Sequence, residues 1–598
     1  MRIPVLFLLL LPLGLFAERH RATINEGWFF HRGDITLEQA QAQSPDVGWE
    51  KVSLPHSWNV QDAFDTVNGP GVPEHLAVMD YYYRGPAWYV REIDIPSDWQ
   101  NRRIAVHFEA AMQRTHVYAN GTWLGEYVGG YTAFSFDITP VAQPGETVTL
   151  AVRVDNSYHY DIPPHRADYT MFGGLYRDVW LETTAPLYAD QVFLTTPQVQ
   201  EDMARISPRI ELRNHHRETR SITAVVSIRD ADGALVGQQK TTADVPAESA
   251  MEVGIPTFEL TDPNLWSPAS PHLYTATTEV LVEDNGVDRR EDRFGLRWFS
   301  FDPDRGFILN GKALKLKGVN RHQDVAGYGF AVPNHLHRRD MELIKEMGAN
   351  FVRLAHYPQD PAILKAANEL GLLIWEEIPV VTGVGREGFA ATAKTMLRDM
   401  ITQHYNHPSI ILWGLMNETI RSQPDEDLHW TVELCRDLNK IAKELDPHRL
   451  TVQAQYAARG TDIFDHADIR GWNRYFGWYY EDFDAFPKWL DTQRKAHPEE
   501  IIIISEYGAG SLRGFHKEQP SESDFSETWG TAFHKAYWRA LAERPWVGGS
   551  AVWNMFDFAS EEKGGNEQGI NQKGLADNQR RPKDVYYFYQ SQWADEPM

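Results

Sequence analysis

Along residues 20–185, apolar and polar positions alternate in short runs: "AWYVREIDI", "RIAVHFEA", "RTHVYANG", "TVTLAVRV" and "LYRDVWLET". A period of two marks strands with one buried face, and Asn120-Gly121 and Pro144-Gly145 between runs mark turns. The segment reads as a β-sandwich. Residues 186–297 repeat the texture in "RISPRIELRN", "SITAVVSIRD" and "LYTATTEVLVED", a span and pattern that fit an immunoglobulin-like sandwich.

Past residue 300 the period changes. Helical patterns alternate with short apolar runs: "NHLHRRDMELIKEMG" then "ANFVRLAH", "DPAILKAANELG" then "LLIWEE", "TMLRDMITQHYNHP" then "SIILWGLMNE". "TVELCRDLNKIAKELDP" then "RLTVQAQ", "DIRGWNRY", "EIIIISEYG" and "VGGSAVWNMFDF" follow. Helix and strand in turn over this length predict a (β/α)8 barrel, whose chemistry sits at the C-terminal strand ends. The predicted architecture is multidomain: residues 18–185, 186–297 and a catalytic barrel over 298–598.

Two barrel runs end in a carboxylate. "ILWGLMNE" delivers Glu418, and "EIIIISEYG" delivers Glu506. Burying a lone carboxylate is costly, so a glutamate closing a core strand implies a polar cleft. Two carboxylates at one barrel mouth suggest glycoside hydrolysis, with one as acid and then base and the other as nucleophile.

Composition narrows the partners. The 598 residues carry 58 Lys+Arg against 83 Asp+Glu, a formal net charge of −25. An acidic surface repels phosphate backbones, which argues against nucleic acid. The 20 Trp, 25 Tyr and 28 Phe suit large cores and also sites that stack on sugar faces. One cysteine, Cys435, allows no intrachain disulfide and reads as a packed small hydrophobe. At the start, Arg2, the apolar Val5–Phe16 and the small Ala17 read as a signal peptide over residues 1–17. Export to the periplasm or beyond is expected, with no membrane association after its removal.

Taken together, "GVNRHQD", "FVRLAHYP", "NHPSIILWGLMNE", "GWNRYFGWY", "SEYG" and "VWNMFDF" resemble glycoside hydrolase family 2, the family of β-galactosidases, β-glucuronidases and β-mannosidases. "DYTMFGGLYRDVWL" resembles the end of that family's sugar-binding jelly roll. The resemblance implies an N-terminal β jelly-roll sugar-binding domain, an immunoglobulin-like β-sandwich and a C-terminal (β/α)8 TIM barrel. It implies Glu418 as acid/base and Glu506 as nucleophile, with Asn417 on the sugar 2-hydroxyl and Tyr475 beside the nucleophile. His356 and Trp553 would line the pocket, Asp168 would reach across from the first domain, and His322, near the pocket, would be a further substrate-binding residue. Asn571 and Lys573 form the Asn-x-Lys that holds the substrate carboxylate in β-glucuronidases, and a branch of β-galactosidases carries the same motif.

Two positions depart from the large intracellular β-galactosidases. Ala509 stands where they carry a histidine after the nucleophile, which puts recognition of the sugar 6-position in doubt. Val381 and Gly383 stand at their magnesium-ligand positions and supply no ligand atom. No metal or other cofactor is therefore expected. The resulting expectation is an exo-acting retaining β-glycosidase acting on oligosaccharides or glycosides, with β-galactosidase first and β-glucuronidase or β-galacturonidase as the alternative. A non-catalytic carbohydrate-binding relative is the competing class. Members of the family often form dimers or tetramers, which leaves a homo-oligomer open.

Overall fold

The computed structural model describes residues 19–594, apart from 44–47, 66–82, 165–166, 422–426, 457–465 and 561–568. The expected signal peptide lies outside the described residues.

The N-terminal sandwich faces a six-stranded sheet against a four-stranded one. The larger sheet is centred on Pro86–Asp94 and Thr147–Asp155, the smaller on Val179–Thr184 and Arg103–Phe108. Their inner faces close on Trp28, Tyr89, Val106, Phe108 and Val152, all fully buried. The second sandwich pairs Leu187–Val199 with Met203–Asn214 on one sheet, and Arg220–Arg229 with Tyr274–Val282 on the other. Cys435 is buried in the barrel core.

Eight parallel strands close the barrel: Leu316–Arg321, Phe351–Leu354, Leu373–Glu377, Ile410–Asn417, Leu450–Gln455, Ile469–Asn473, Ile502–Tyr507 and Gly549–Val552. The first pairs with the eighth, so no sheet edge remains. The intervening helices carry ordinary start and stop signals. In Pro361–Leu370 the Asp360 carboxylate accepts from the Ala362 N–H, Pro361 opens the helix, and Gly371 closes it at φ +70°. A side chain at Gly371 would also meet the Pro268 backbone at 2.7 Å.

Residues two apart share a strand face, and the inward faces change character along the strands. At the N-terminal end Leu316, Phe351, Leu373, Ile469 and Ile503 fill the barrel with apolar volume. Toward the C-terminal end the same faces become Asn320, Arg353, Glu377 and Asn473, all buried. The barrel is therefore a greasy plug with a polar cup on top, and that cup is where the chemistry sits. Among the described residues, no helix is long and apolar enough to cross a membrane.

Candidate active site

Strict alternation would place neighbouring residues on opposite faces, yet two neighbouring pairs both face the cup. On the seventh strand, Ser505 Oγ donates inward to Asn473 Oδ1 while Glu506 also lines the cavity. Register shifts on both sides of this strand, between Gly471 and Asn473 and between Ile504 and Tyr507, turn Glu506 inward. After the fourth strand, Asn417 and Glu418 both line the cavity. A register shift between Gly414 and Met416 precedes them, and Glu418 adopts a left-handed φ of +49°. A non-glycine residue is rarely held there, and such strain collects at functional sites.

The cavity is about 340 Å³. Nine of the ten sequence-predicted residues line it: Asp168, His356, Asn417, Glu418, Tyr475, Glu506, Trp553, Asn571 and Lys573. His322 does not, which corrects the expectation that it touches substrate. Its ring stacks on Phe558 at 4.1 Å, stands edge-on to Trp553 and donates to or accepts from the Tyr357 hydroxyl at 3.0 Å. It supports the cavity wall from behind, because His356 and Trp553, stacked at 5.0 Å, occupy the lining position. Desolvation holds His322 well below the ordinary histidine pKa, and it is neutral.

Glu506 is fixed from several sides. Arg353 donates to Oε1 at 2.9 Å, and the Tyr475 hydroxyl donates to Oε2 at 2.8 Å. Arg353 reaches Glu377 through two further bonds of 2.9 Å, and His356 Nδ1 meets Glu377 at 2.6 Å. Burial would raise Glu377, but Arg353 and His356 hold it below its usual range, so it is a fixed anion. Burial raises Glu506, helped by the charge of Glu418 and opposed by Arg353, His356 and Tyr475.

Glu418 has a different setting. Asn473 Nδ2 donates to Oε1 at 2.8 Å, and Arg421 lies 3.4 Å from Oε2. Asn417 ties the two carboxylates together, since its Oδ1 accepts from Arg353 at 2.9 Å and from Asn473 at 3.2 Å. With the oxygen engaged by two donors, the Asn417 amide N–H groups are left to face the cavity, as a contact to a sugar hydroxyl requires.

The remaining wall comes from three places. Asp168 arrives from the N-terminal sandwich and is braced by Ser560 Oγ at 2.6 Å. Asn571 Oδ1 accepts from the Lys573 backbone N–H. The Lys573 ammonium is buried, donates to the Tyr479 hydroxyl at 2.7 Å and lies within 6 Å of the rings of Tyr475, Trp478 and Tyr479. Among the described residues its side-chain hydrogen-bond partner is that hydroxyl and not a carboxylate.

Sequence reasoning missed Arg353, Glu377, Asn473 and Arg421. The first two carried a signal: a charge inside "FVRLA" and a doubled glutamate closing "LLIWEE" cannot stay buried unpaired. Val381 and Gly383, at the magnesium positions, lack donor side chains and do not fit such an ion. Among the described residues one other group, His516, Glu527 and Asp584, brings ligand-type atoms together. None of the three lines the cavity, and His516 is spent on Asp584 at 2.9 Å.

Two glutamates in a sugar-sized cup at the mouth of a (β/α)8 barrel, one wired to an arginine and one to an amide, define a glycoside hydrolase. Comparison with known proteins gives the family. Residues 24–185 match "Glycosyl hydrolases family 2, sugar binding domain", 187–297 match "Glycosyl hydrolases family 2", and 303–596 match "Glycosyl hydrolases family 2, TIM barrel domain". The chain belongs to glycosyl hydrolase family 2. A β-glucuronidase of Bacteroides fragilis is 36% identical over 99% of this chain and 84% of its own length. A β-galactosidase of Thermoanaerobacter pseudethanolicus is 28% identical over 95% of this chain and 71% of its own. Among solved structures, Bacteroides uniformis β-glucuronidase 2 covalently bound to cyclophellitol-6-carboxylate aziridine superposes with a TM-score of 0.91 at 37% identity, covering 97% of this chain and 70% of that one.

Proposed function

We propose that the chain is an exo-acting retaining β-glucuronidase. This shifts the sugar from the galactoside first expected to the uronic acid held in reserve. The observation that carries it is Lys573: a buried ammonium facing the cavity, with aromatic faces around it and no carboxylate partner among the described residues. Such a cation is satisfied by an anionic ligand, and a sugar carboxylate supplies one. The similar B. uniformis enzyme, bound to a ligand named as a carboxylate, supports the same reading.

The chemistry follows from the two settings. Glu506, ionised and held by Arg353 and Tyr475, attacks the anomeric carbon while Glu418 gives its proton to the departing glycosidic oxygen. A glycosyl ester on Glu506 and a free alcohol result. Water, losing a proton to Glu418, then cleaves the ester, returns both carboxyls to their starting states and restores the β configuration. Asn417 meets the 2-hydroxyl, and Asp168 and Trp553 shape the rest of the sugar site.

The test is a panel of nitrophenyl β-glucuronide, galacturonide and galactoside with the protein and with Lys573→Ala. The reading expects glucuronide first and a loss of roughly 10- to 100-fold in kcat/KM confined to uronides, the contribution of a charge-assisted hydrogen bond. A preference for the galactoside, or an equal loss on all three, overturns the uronate reading.

A further inference from the structure

The cavity holds a second cation that the reaction above does not use. Arg421 lies three residues past Glu418 and lines the cavity, and its side chain is 57% exposed. It approaches the acid/base glutamate from one side only. Glu418 Oε1 faces Asn473, which also contacts Asn417 and thereby the Glu506 side of the cup. Oε2 faces Arg421 at 3.4 Å. The proton donor must touch the glycosidic oxygen, so whatever flanks its far oxygen stands beside the departing group.

The same cavity is also lined by Tyr456, Tyr480 and Thr382, two aromatic rings and a hydroxyl. The hydrogen bond to Glu418 is long and engages one of the five guanidinium N–H donors, and the Asp168 carboxylate and Tyr479 hydroxyl also lie within electrostatic reach of the guanidinium. Its backbone is fixed: the Arg421 N–H donates to the Glu418 carbonyl at 2.9 Å, so the arginine stays with the catalytic residue. Lys573, the other cation, is buried among rings, whereas Arg421 sits at the open rim. The cavity thus has two cations, one buried among rings and one at its rim beside the proton donor.

We propose that Arg421 forms a leaving-group subsite for an oxyanion. The natural substrate then carries a carboxylate or a sulfate ester on the residue joined to the cleaved sugar, as an acidic polysaccharide does. A planar guanidinium at the rim binds either anion through paired N–H groups. This rests on the glycosidase reading of Glu418 and Glu506, and it stands independently of which sugar Lys573 selects.

The experiment pairs leaving groups on one sugar. Kinetics are measured for aryl β-glucuronides whose phenol carries a neutral, a carboxylate or a sulfate substituent, with the wild-type chain and with Arg421→Met. The expected result is a loss of kcat/KM at least about tenfold larger for the anionic substrates than for the neutral one, the size of one charge-assisted hydrogen bond at an exposed site. The carboxylate and sulfate arms tell the two anions apart. Wild-type kcat/KM also falls more steeply with added salt on the anionic substrates than on the neutral one, and that excess disappears in Arg421→Met. Arg421→Lys restores part of the loss if charge is what matters. An equal loss on all three substrates means that Arg421 only positions Glu418, and no loss on the anionic ones means that it binds nothing there; either overturns the proposal. The same leaving groups on a galactoside read Arg421 separately if the uronate preference fails.

Discussion

Glu506 and Glu418 line one cavity, but their surroundings differ in kind. Glu506 is 6% exposed and sits against a full positive charge from Arg353, itself backed by the fixed anion Glu377. Glu418 is 13% exposed, takes a neutral amide on one oxygen and a loosely held, rim-exposed arginine on the other, and rests on a strained backbone. A nucleophile must hold its charge in a dry site, which takes a buried, geometrically fixed cation. A group that first gives and then takes a proton needs donors that suit both states and a path to water. The same side-chain type therefore serves two roles because the barrel surrounds it differently.

The contrast breaks most sharply at Glu506. Glu506→Gln is expected to lower kcat by on the order of 10⁴- to 10⁶-fold on every substrate, as loss of a nucleophile does, measured under saturating glycoside. Glu418→Gln sharpens the other half. A missing proton donor costs roughly 10²- to 10⁴-fold where the leaving group is a sugar alcohol and far less where it is a nitrophenolate that departs unassisted. Equal losses for both leaving groups would deny Glu418 the acid role.

Arg353→Met strands Glu377 and Glu506 without their cation. Breaking one partner of a buried pair predicts a drop in unfolding free energy of about 3–5 kcal/mol, read by denaturant titration of tryptophan fluorescence. The smallest effect is a shift in pH profile. Glu506 is raised by burial, so the acid limb of kcat/KM lies above the ordinary glutamate range, and activity falls as pH drops through it. Tyr475→Phe removes a donor that favours the ionised form, so that limb should move up. A limb that stays put or moves down would remove Tyr475 from the account.

Much of this was legible along the chain, for a physical reason. Strand runs that stop at Asn417-Glu418 and Ser505-Glu506 show a change from oily to polar environment, and one-dimensional patterning reports such changes well. Arg353 and Glu377 were harder, because each is odd alone and explained only by the other across adjacent strands, where Arg353 lies level with Trp375. His322 fell on the wrong side of the wall because strand position alone does not say which of three packed rings face the cavity. Arg421 follows the catalytic motif in a loop without periodicity, so only the folded cavity shows what it borders.

The most direct test of the division of labour is covalent. The chain is incubated with a 2-deoxy-2-fluoro-β-glucuronosyl fluoride, digested, and its labelled peptide located by mass spectrometry. The account predicts one sugar ester, carried on Glu506 and absent from Glu506→Gln. A label on Glu418, or turnover with inverted configuration and no ester, would contradict it.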